Sequence, residues 1–352
     1  HNSYSVGPQV TYTLWDTFSA RSLYHGAERV ADARKEQLRS TRLQVLQAAR
    51  GDYLQVQLAL EELRAVDGTL ALARAQDREI QSRFHAGAAS RLDQVSAKRQ
   101  VLSFELQYKQ KQTALATALR ELLTVIGVEK LEGAEAPGAA VGPGVNLALK
   151  LDSLADTVAK ESSRAISEPT GELPLAHAQA LLAEAADDQA WGQTAKLLPT
   201  VSVSGTAALM YPNGPVKEQI QQVIVSAQVS MPLFLGDPTW KLAASKRHEA
   251  DAARAREEET LVELRRDFSK ARTMLDSLRE QRKLAADDVA QTEEAAQLYY
   301  KSYKSGEARL IDVQNADTQA LQAKVNAARV DAQFLQQMIL LKTLSGKEFL
   351  HE

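Results

Sequence analysis

The chain has 352 residues, enough for two or three ordinary domains, but only 5% of them are aromatic while 25% are charged, which argues against compact cores. The formal net charge of −3 gives no indication of nucleic-acid binding, and the absence of cysteine excludes disulfides and thiolate metal sites. This composition is typical of long helices packed side by side.

The first predicted element is a β-strand over residues 4–14, in which apolar and small polar residues alternate. Successive side chains of a strand point to opposite faces, so one face is apolar and the other polar. No apolar run approaches the ~20 residues of a membrane-spanning helix, whereas a strand of a transmembrane barrel needs only about 9–11 alternating residues. The strand therefore fits a barrel wall.

A long helix follows, from about residue 19 to residue 84, with apolar residues at heptad spacing that predict a coiled-coil seam. At ~1.5 Å per residue it would measure roughly 98 Å, which no small globular domain contains. Gly87 then marks a tight turn, and Ser90 with Asp93 resembles a helix-capping box. A second, shorter helix ends at Gly127.

The stretch over residues 129–171 is rich in proline and glycine, which predicts loops around one short helix over about 149–160. The remaining predicted elements are a helix over about 174–198, strands over about 200–210 and 221–234, a long helix over about 239–303, a tip at Gly306 and a helix over about 309–344.

One offset of 219 residues relates the two halves of the chain without a gap. It carries Val10 to Val229, Gly87 to Gly306, Asp93 to Asp312 and Gly127 to Gly346. The sequence therefore predicts a duplicated unit of strand, long helix, tip and shorter helix. The first copy lacks the opening helix and strand of the second, so we expect about 45 further residues, and any signal peptide, upstream of His1, since 174 minus 219 is −45.

Motifs that carry catalysis are missing. The sequence has no P-loop, no GxSxG, no HExxH and no dinucleotide fingerprint, and none of its six histidines are spaced i,i+4. His248 and Glu249 begin like a zinc motif that lacks its second histidine, and Asp187 with Asp188 fits a solvated helix face. We therefore expect no enzyme activity, no cofactor and no metal site.

Three strands, or four with the missing one restored, cannot close a barrel, and unpaired sheet edges are not tolerated in lipid, so closure requires several copies of the chain. The polar faces would line water, and they carry Ser5, Gln9, Thr11, Ser226, Gln228 and Ser230. The apolar faces would meet lipid, and they carry Val6, Val10, Val225 and Val229. Aromatic residues at or just past the strand ends would form an interfacial girdle, namely Trp15, Phe18, Phe234 and Trp240. A water-soluble sheet is the alternative, but it would not need helices of this length.

At this point the chain resembles the TolC-type outer-membrane efflux proteins. The resemblance rests on the duplicated unit, on the strand exit Met231-Pro232-Leu233-Phe234-Leu235-Gly236, on Leu198-Pro199 before a strand and on the Gly-x5-Asp tips. It covers nearly the whole chain except the missing start. It implies a mainly α fold with membrane β-strands, forming as a homotrimer a twelve-stranded β-barrel continued by an α-helical coiled-coil tunnel.

The resemblance also divides the chain. We expect a first barrel strand (residues 1–15), a periplasmic helical hairpin (16–128), an equatorial linker segment (129–173), a helix (174–199), a barrel hairpin (200–235), a second periplasmic helical hairpin (236–346) and a C-terminal tail (347–352). The implied function is that of an outer-membrane exit duct with a long periplasmic extension, serving tripartite efflux or type I secretion. Implied partners are two further copies of the chain, a periplasmic adaptor (membrane fusion) protein, an inner-membrane pump reached indirectly and outer-membrane lipid.

The tips carry the residues to which the resemblance assigns roles. Asp312 matches a constriction aspartate, and Asn315 stands where the family often has a second one. Arg309 lies one residue later than the arginine of the family's tip network, which implies a weaker gate or other cargo. Asp93 would assist the gate, although helix capping through Ser90 explains it about as well. The adaptor would contact the exposed tips at Gly87, Ala88, Gly306 and Glu307.

Two other classes stay open on the sequence alone. A structural coiled-coil protein of the envelope would have no conducting pore, so a conductance measurement separates it from a duct. A periplasmic adaptor also carries a helical hairpin, but it would have one hairpin with β-barrel domains rather than two related by a gapless offset.

Overall fold

The computed structural model of the chain describes residues 4–127, 152–162, 173–212, 215–233 and 238–345. Its elements in chain order are β1 (Tyr4–Val6), β2 (Gln9–Trp15), α1 (Ser19–His85), α2 (Arg91–Ile126), α3 (Leu154–Ser162), α4 (Pro174–Ala195), β3 (Thr200–Tyr211), β4 (Ile220–Ser230), α5 (Pro238–Ser305) and α6 (Leu310–Ser345). They fall into two compact units: unit 1 comprises His1–Ser40 and Gly171–Leu264, and unit 2 comprises Thr41–Thr170 and Arg265–Glu352. Among the described helices, none combines the length and the apolar character that crossing a membrane requires.

Unit 1 is built on an antiparallel sheet with β3 at its centre. The strands β1 and β2 pair with one edge of β3, and β4 pairs with the other. Both outer edges of this sheet are unpaired within the described part of the chain. Three alternating stretches therefore form one sheet, as the sequence predicts.

The predicted first strand is interrupted, because a break at Gly7 and Pro8 separates β1 from β2. A Cβ atom placed on Gly7 would lie 1.8 Å from the carbonyl oxygen of Ala207, so the two backbones approach more closely than any side chain permits. The amide of Ala207 donates to the Pro8 carbonyl at 3.0 Å, which holds the break against β3. The register with β3 is the same on both sides of the break.

In unit 1 the first turns of α1 pack against α4 through small residues. Ser19 Oγ donates to the carbonyl of Gly192 at 2.7 Å, and Ser22 Oγ donates to the carbonyl of Asp188 at 2.9 Å. A Cβ on Gly192 would meet the side chain of Leu23 at 2.7 Å. Close helix packing of this kind needs serine and glycine rather than large apolar residues, in keeping with the low aromatic content.

Unit 2 has several small apolar clusters along its helices rather than one large core. The largest joins α1, α3, α5 and α6, with Leu275, Phe334 and Leu341 almost fully buried. A second surrounds Phe104 on α2, and a third surrounds Val56 on α1. The heptad seam predicted for α1 is buried in this unit at Val56 and Leu70, whereas Leu46 in the same seam is 42% exposed.

Within the equatorial segment the structure describes the short helix α3, which starts five residues later than predicted. It is fixed to unit 2 by Gln57 Nε2, which donates to the carbonyl of Asp152 at 2.8 Å and to Thr157 Oγ1 at 3.0 Å. Leu154 and Val158 complete the largest apolar cluster. The rest of the predicted loop region, and the predicted stop at Gly346, lie outside the described residues.

Candidate functional site

The sheet of unit 1 has one apolar face, and the strand register shows which residues share it. Residues paired directly across an antiparallel ladder have their side chains on the same face. Val10 pairs with Gly205, which pairs with Val225 on β4. Val10 is 69% exposed and Val225 is 74% exposed in the single chain. A row of exposed valines on one face is what a lipid-facing wall requires.

The opposite face of the sheet carries short polar side chains. Thr11 pairs with Ser204, which pairs with Ser226, and the two serine hydroxyls are 2.8 Å apart. Thr13, Ser202 and Gln228 form the next matching row. The face is not uniformly polar, since Met210 and Ile224 also lie on it by register.

Aromatic rings mark both ends of the sheet. Trp15 and Phe18 lie where the chain leaves β2, are 53% and 55% exposed and have ring centroids 5.5 Å apart. At the other end, Tyr4 stacks on Tyr211 with centroids 5.6 Å apart. Trp240 differs, because its ring is half-buried and its indole nitrogen is buried without an acceptor among the described residues. Phe234 lies outside the described residues.

In unit 2, two exposed turns end the long helices, and their hydrogen bonds repeat with the 219-residue offset. Gly87 and Gly306 both adopt the left-handed conformation, with φ of 74° and 86°. The backbone amide of Ala88 donates to the carbonyl oxygen of Arg83 at 2.7 Å, and the backbone amide of Glu307 donates to the carbonyl oxygen of Ser302 at 2.9 Å. Each turn is therefore a complete Schellman motif, which explains why glycine stands at both tips.

Asp93, in the first tip, is part of a full capping box at the start of α2. Its backbone amide donates to Ser90 Oγ at 3.0 Å, and its carboxylate accepts from the Ser90 backbone amide at 3.2 Å and from the Ser90 hydroxyl at 2.7 Å. The predicted capping box is confirmed. The partners of this carboxylate are neutral groups, so its charge is not compensated by them.

Asp312, in the second tip, is held by Arg309. The carboxylate accepts from Arg309 Nε and Nη2, each at 3.1 Å, and from the Arg309 backbone amide at 3.2 Å. The side-chain hydrogen bond from Arg309 lowers the pKa of Asp312 below its ordinary value. The second tip thus has the backbone half of a capping box without a hydroxyl, and its acid is paired with a cation. Asn315 is exposed one turn further along α6.

A contact between the ends of the two long helices lies just behind the tips. Glu79 on α1 accepts the hydroxyl of Tyr300 on α5 and pairs with Lys304 Nζ at 3.3 Å. The hydrogen bond from Tyr300 lowers the pKa of Glu79, while burial and the bond to Glu79 raise the pKa of Tyr300. The ion pair of Lys304 among the described residues is therefore with α1, not with Asp312.

Arg83 forms the other half of this contact. Its guanidinium lies 5.5 Å from the ring centre of Tyr303 and donates to the carbonyl of Lys304 at 3.1 Å. Burial, and after it the charge of Asp93, raise the pKa of Tyr303 above its ordinary value. The two hairpin ends are therefore tied together within one chain.

A comparison with protein families identifies the family of the chain. The sequence profile described as "Outer membrane efflux protein" matches residues 1–128 and 173–347 of the chain. The chain belongs to the outer membrane efflux protein family. The family and the fold are those of channel proteins of the bacterial outer membrane rather than of enzymes.

Solved structures show the same fold. The outer membrane protein VceC of Vibrio cholerae is 16% identical with a TM-score of 0.77, and the match covers 98% of this chain and 86% of VceC. The CmeC outer membrane channel of Campylobacter jejuni is 15% identical with a TM-score of 0.74, covering 98% of this chain and 71% of CmeC. The open state of the MtrE channel of Neisseria gonorrhoeae is 16% identical with a TM-score of 0.73, and the match covers 98% of this chain and 76% of MtrE. No curated protein matches the sequence.

Within this efflux-family chain, the structure brings the predicted tip residues into two turns rather than one cluster. The described partners of Asp93 and Asp312 lie in their own turns. Four residues of these contacts were not predicted from the sequence, namely Tyr4, Tyr211, Glu79 and Arg83. The tyrosines could have been found as aromatic residues at the far strand ends, whereas nothing in the spacing of Glu79 and Tyr300 indicates that they meet.

Proposed function

We propose that the chain is the outer-membrane exit duct of a tripartite efflux or type I secretion system and conducts substrates passively from a periplasmic adaptor and inner-membrane pump to the exterior. The observation that supports this best is the sheet of unit 1, which has an exposed apolar face and, within the described part of the chain, two unpaired edges. Unpaired edges are not stable in lipid, so the sheet must pair with the sheets of other copies. In this family's arrangement three copies close a twelve-stranded barrel.

The first experiment measures mass and conductance together. Purified protein in mild detergent should give the mass of three chains by light scattering, and its addition to a planar lipid bilayer should produce discrete conductance steps. A stable monomer would overturn the trimer. A trimer that inserts without conductance would instead favour a structural coiled-coil envelope protein.

For the tips we propose that Asp312 and Asp93, with Asn315 and Arg309 beside them, form a closable constriction. In a trimer each acid contributes a ring of three carboxylates, which attracts cations in a narrow pore. Asp312 also caps α6, so a variant must separate charge from capping. Asp312→Asn keeps an oxygen that can accept the Arg309 amide but removes the charge.

Single-channel recording tests this constriction. Asp312→Asn should weaken the block by a multivalent cation added from the periplasmic side, and Arg309→Ala should strengthen it by releasing the paired charge of Asp312. Ser153→Ala is the control for capping, because it removes the same kind of cap from α3, outside the tips, and should lower stability by about 1 kcal/mol while leaving conductance unchanged. Unchanged block in both Asp312→Asn and Arg309→Ala would remove these residues from the pore.

We propose further that the turns at Gly87, Ala88, Gly306 and Glu307 contact the periplasmic adaptor. All four residues are exposed, and both turns have the same backbone geometry. Cysteines at Ala88 and Glu307 should crosslink to one periplasmic protein in cells with active efflux. A cysteine at the exposed Ser103, twelve residues into α2, is the control and should give no such adduct. Equal adducts from all three positions, or none from the tips, would leave the turns as plain helix connections.

A further inference from the structure

A cavity of about 260 Å³ lies inside unit 2, between α1, α5 and α6. Its apolar walls include Leu72 on α1, Ala296 on α5 and Ala320 and Leu321 on α6. Alanines at two wall positions, and a glycine at position 68 whose Cβ would meet nothing within 4 Å, leave the space open. The volume is slightly below the range of about 300–1,000 Å³ in which pockets for drug-sized ligands fall, so it suits a smaller molecule.

A buried carboxylate forms part of the cavity lining. Asp317 is only 5% exposed, and its Oδ2 accepts a hydrogen bond from Gln76 Nε2 at 3.0 Å. No lysine, arginine or histidine nitrogen among the described residues lies within 4.0 Å of it. Its described partner is therefore one neutral amide, although a buried carboxylate ordinarily requires a counter-ion or several donors.

Glu62, in the same unit, shows the usual arrangement. It is buried to a similar extent, but it pairs with Lys111 at 2.5 Å and with Arg329 at 2.8 Å. Burial raises the pKa of Glu62, yet these two cations outweigh burial and the pKa is lowered. For Asp317 burial dominates and the pKa is raised. The charge that Glu62 receives from the protein is missing at Asp317.

The other charges that line the cavity do not supply it. Lys324 is paired with Glu293 at 2.5 Å, and both side chains are more than 40% exposed, which places this pair towards the solvent. The hydroxyl of Tyr300 is donated to Glu79. The lining of α1 is uncharged, with Thr69 and Gln76 as its polar members. The charged groups of the lining therefore sum to about one negative charge, carried by Asp317.

We propose that this cavity binds a small organic cation, consisting of a primary or secondary ammonium on a compact apolar body, with Asp317 as its counter-ion. The ammonium would donate to the carboxylate, and the apolar body would lie against Ala296, Ala320 and Leu321. A calcium or magnesium ion fits poorly, because it takes six or more oxygen ligands and the lining offers Asp317 and the lysine-paired Glu293 beside amide and hydroxyl oxygens. An anion would be repelled, and a neutral apolar molecule would leave the carboxylate without a partner.

The test is a binding titration of the full chain, purified in detergent, with phenethylammonium as the probe and 2-phenylethanol as its neutral analogue. Wild-type protein should bind the ammonium in a saturable manner and the alcohol at least tenfold more weakly. Asp317→Asn should weaken ammonium binding at least tenfold, because it keeps the shape and a hydrogen bond to Gln76 but removes the charge. Asp77→Asn is the matched control, since Asp77 is also a buried acid but does not line the cavity, and its affinity should be that of the wild type.

Filling the cavity gives an independent readout. Ala320→Leu should abolish binding of the ammonium. If this variant does not fold, Gly68→Leu serves instead, because a side chain there enters open space. Wild-type affinity in Asp317→Asn, wild-type affinity in the filled variant, equal affinity for the alcohol, or no saturable binding at all would each overturn the proposal. The titration needs no conduction, so its result is independent of whether the chain acts as an exit duct.

Discussion

Replacing Val10 by arginine tests whether the apolar face of the sheet meets lipid. Val10 lies opposite Gly205, the sixth of the twelve residues of β3. At ~3.4 Å per residue β3 is about 40 Å long, and at the ~40° tilt of barrel strands it spans roughly 30 Å along the membrane normal. This equals the thickness of the hydrocarbon core, so in such a barrel Val10 would lie near the midplane. Arginine facing lipid there should cost about 2–4 kcal/mol per chain.

The matched control is Thr11→Arg, one residue along β2 on the opposite face. A water-lined position should accept arginine with a change of about 0.5 kcal/mol or less. Unfolding by urea in phospholipid vesicles measures both variants against the wild type. If Thr11→Arg is the damaging substitution and Val10→Arg is harmless, the polar face meets lipid and the assignment of the two faces is refuted. Equal effects would refute a membrane location for this sheet.

Four further substitutions test packing and charge. Gly7→Ala should destabilise the sheet by about 1–3 kcal/mol in thermal unfolding, because the added methyl group meets the backbone of β3. Gly205→Ala is its control and should be neutral or stabilising in the same assay, because a Cβ there has nothing within 4 Å. Glu62→Gln should cost about 1.5–3 kcal/mol at pH 7, because it removes the negative charge shared by Lys111 and Arg329 and replaces one of the two accepting oxygens by an amide nitrogen. Since the folded-state pKa of Glu62 is lowered, its contribution is present above the unfolded pKa and should vanish as pH falls through the folded one, so urea unfolding at pH 7 and pH 3 should differ in the size of the effect. Asp317→Asn should behave in the opposite way, because burial raises the pKa of Asp317. The variant should be more stable than the wild type at pH 7 and equally stable below the unfolded pKa of about 4. A loss of stability at pH 7 would instead show that the folded protein stabilises the charged carboxylate.

The architecture was predictable because the repeat and the alternation each have a simple physical cause. Strand alternation predicts which residues share a face, and the register confirms this for Val10 and Val225. The offset of 219 predicts equivalent tips, and the hydrogen bonds at Gly87 and Gly306 repeat with that offset. Glycine at both tips was the strongest local signal, since the left-handed position of a Schellman motif favours it.

Other features depend on contacts between distant residues, which the sequence pattern does not contain. Glu79 meets Tyr300 only because the two long helices end side by side. The break at Gly7 follows from the close approach of β3, whereas the alternating pattern alone predicts a continuous strand. Phe18 adopts a left-handed backbone with φ of 65°, which is uncommon for a residue of this size, so neither its conformation nor its ring contact with Trp15 follows from periodicity.

The two tips differ in the partner of their aspartate, and the position of Arg309 causes the difference. Because Arg309 stands immediately before α6, it lies three residues before Asp312 and reaches the carboxylate with both its backbone amide and its guanidinium. At the equivalent place in the first tip stands Ser90, whose neutral hydroxyl donates to the Asp93 carboxylate. Both carboxylates thus stabilise a helix start, but Asp312 is paired with a cation in its own turn, whereas the hydrogen-bond partners of Asp93 among the described residues are neutral. In a trimer, the ring of Asp93 would therefore attract cations more strongly than the ring of Asp312, even though the resemblance to TolC-type proteins implies Asp312 as the constriction residue.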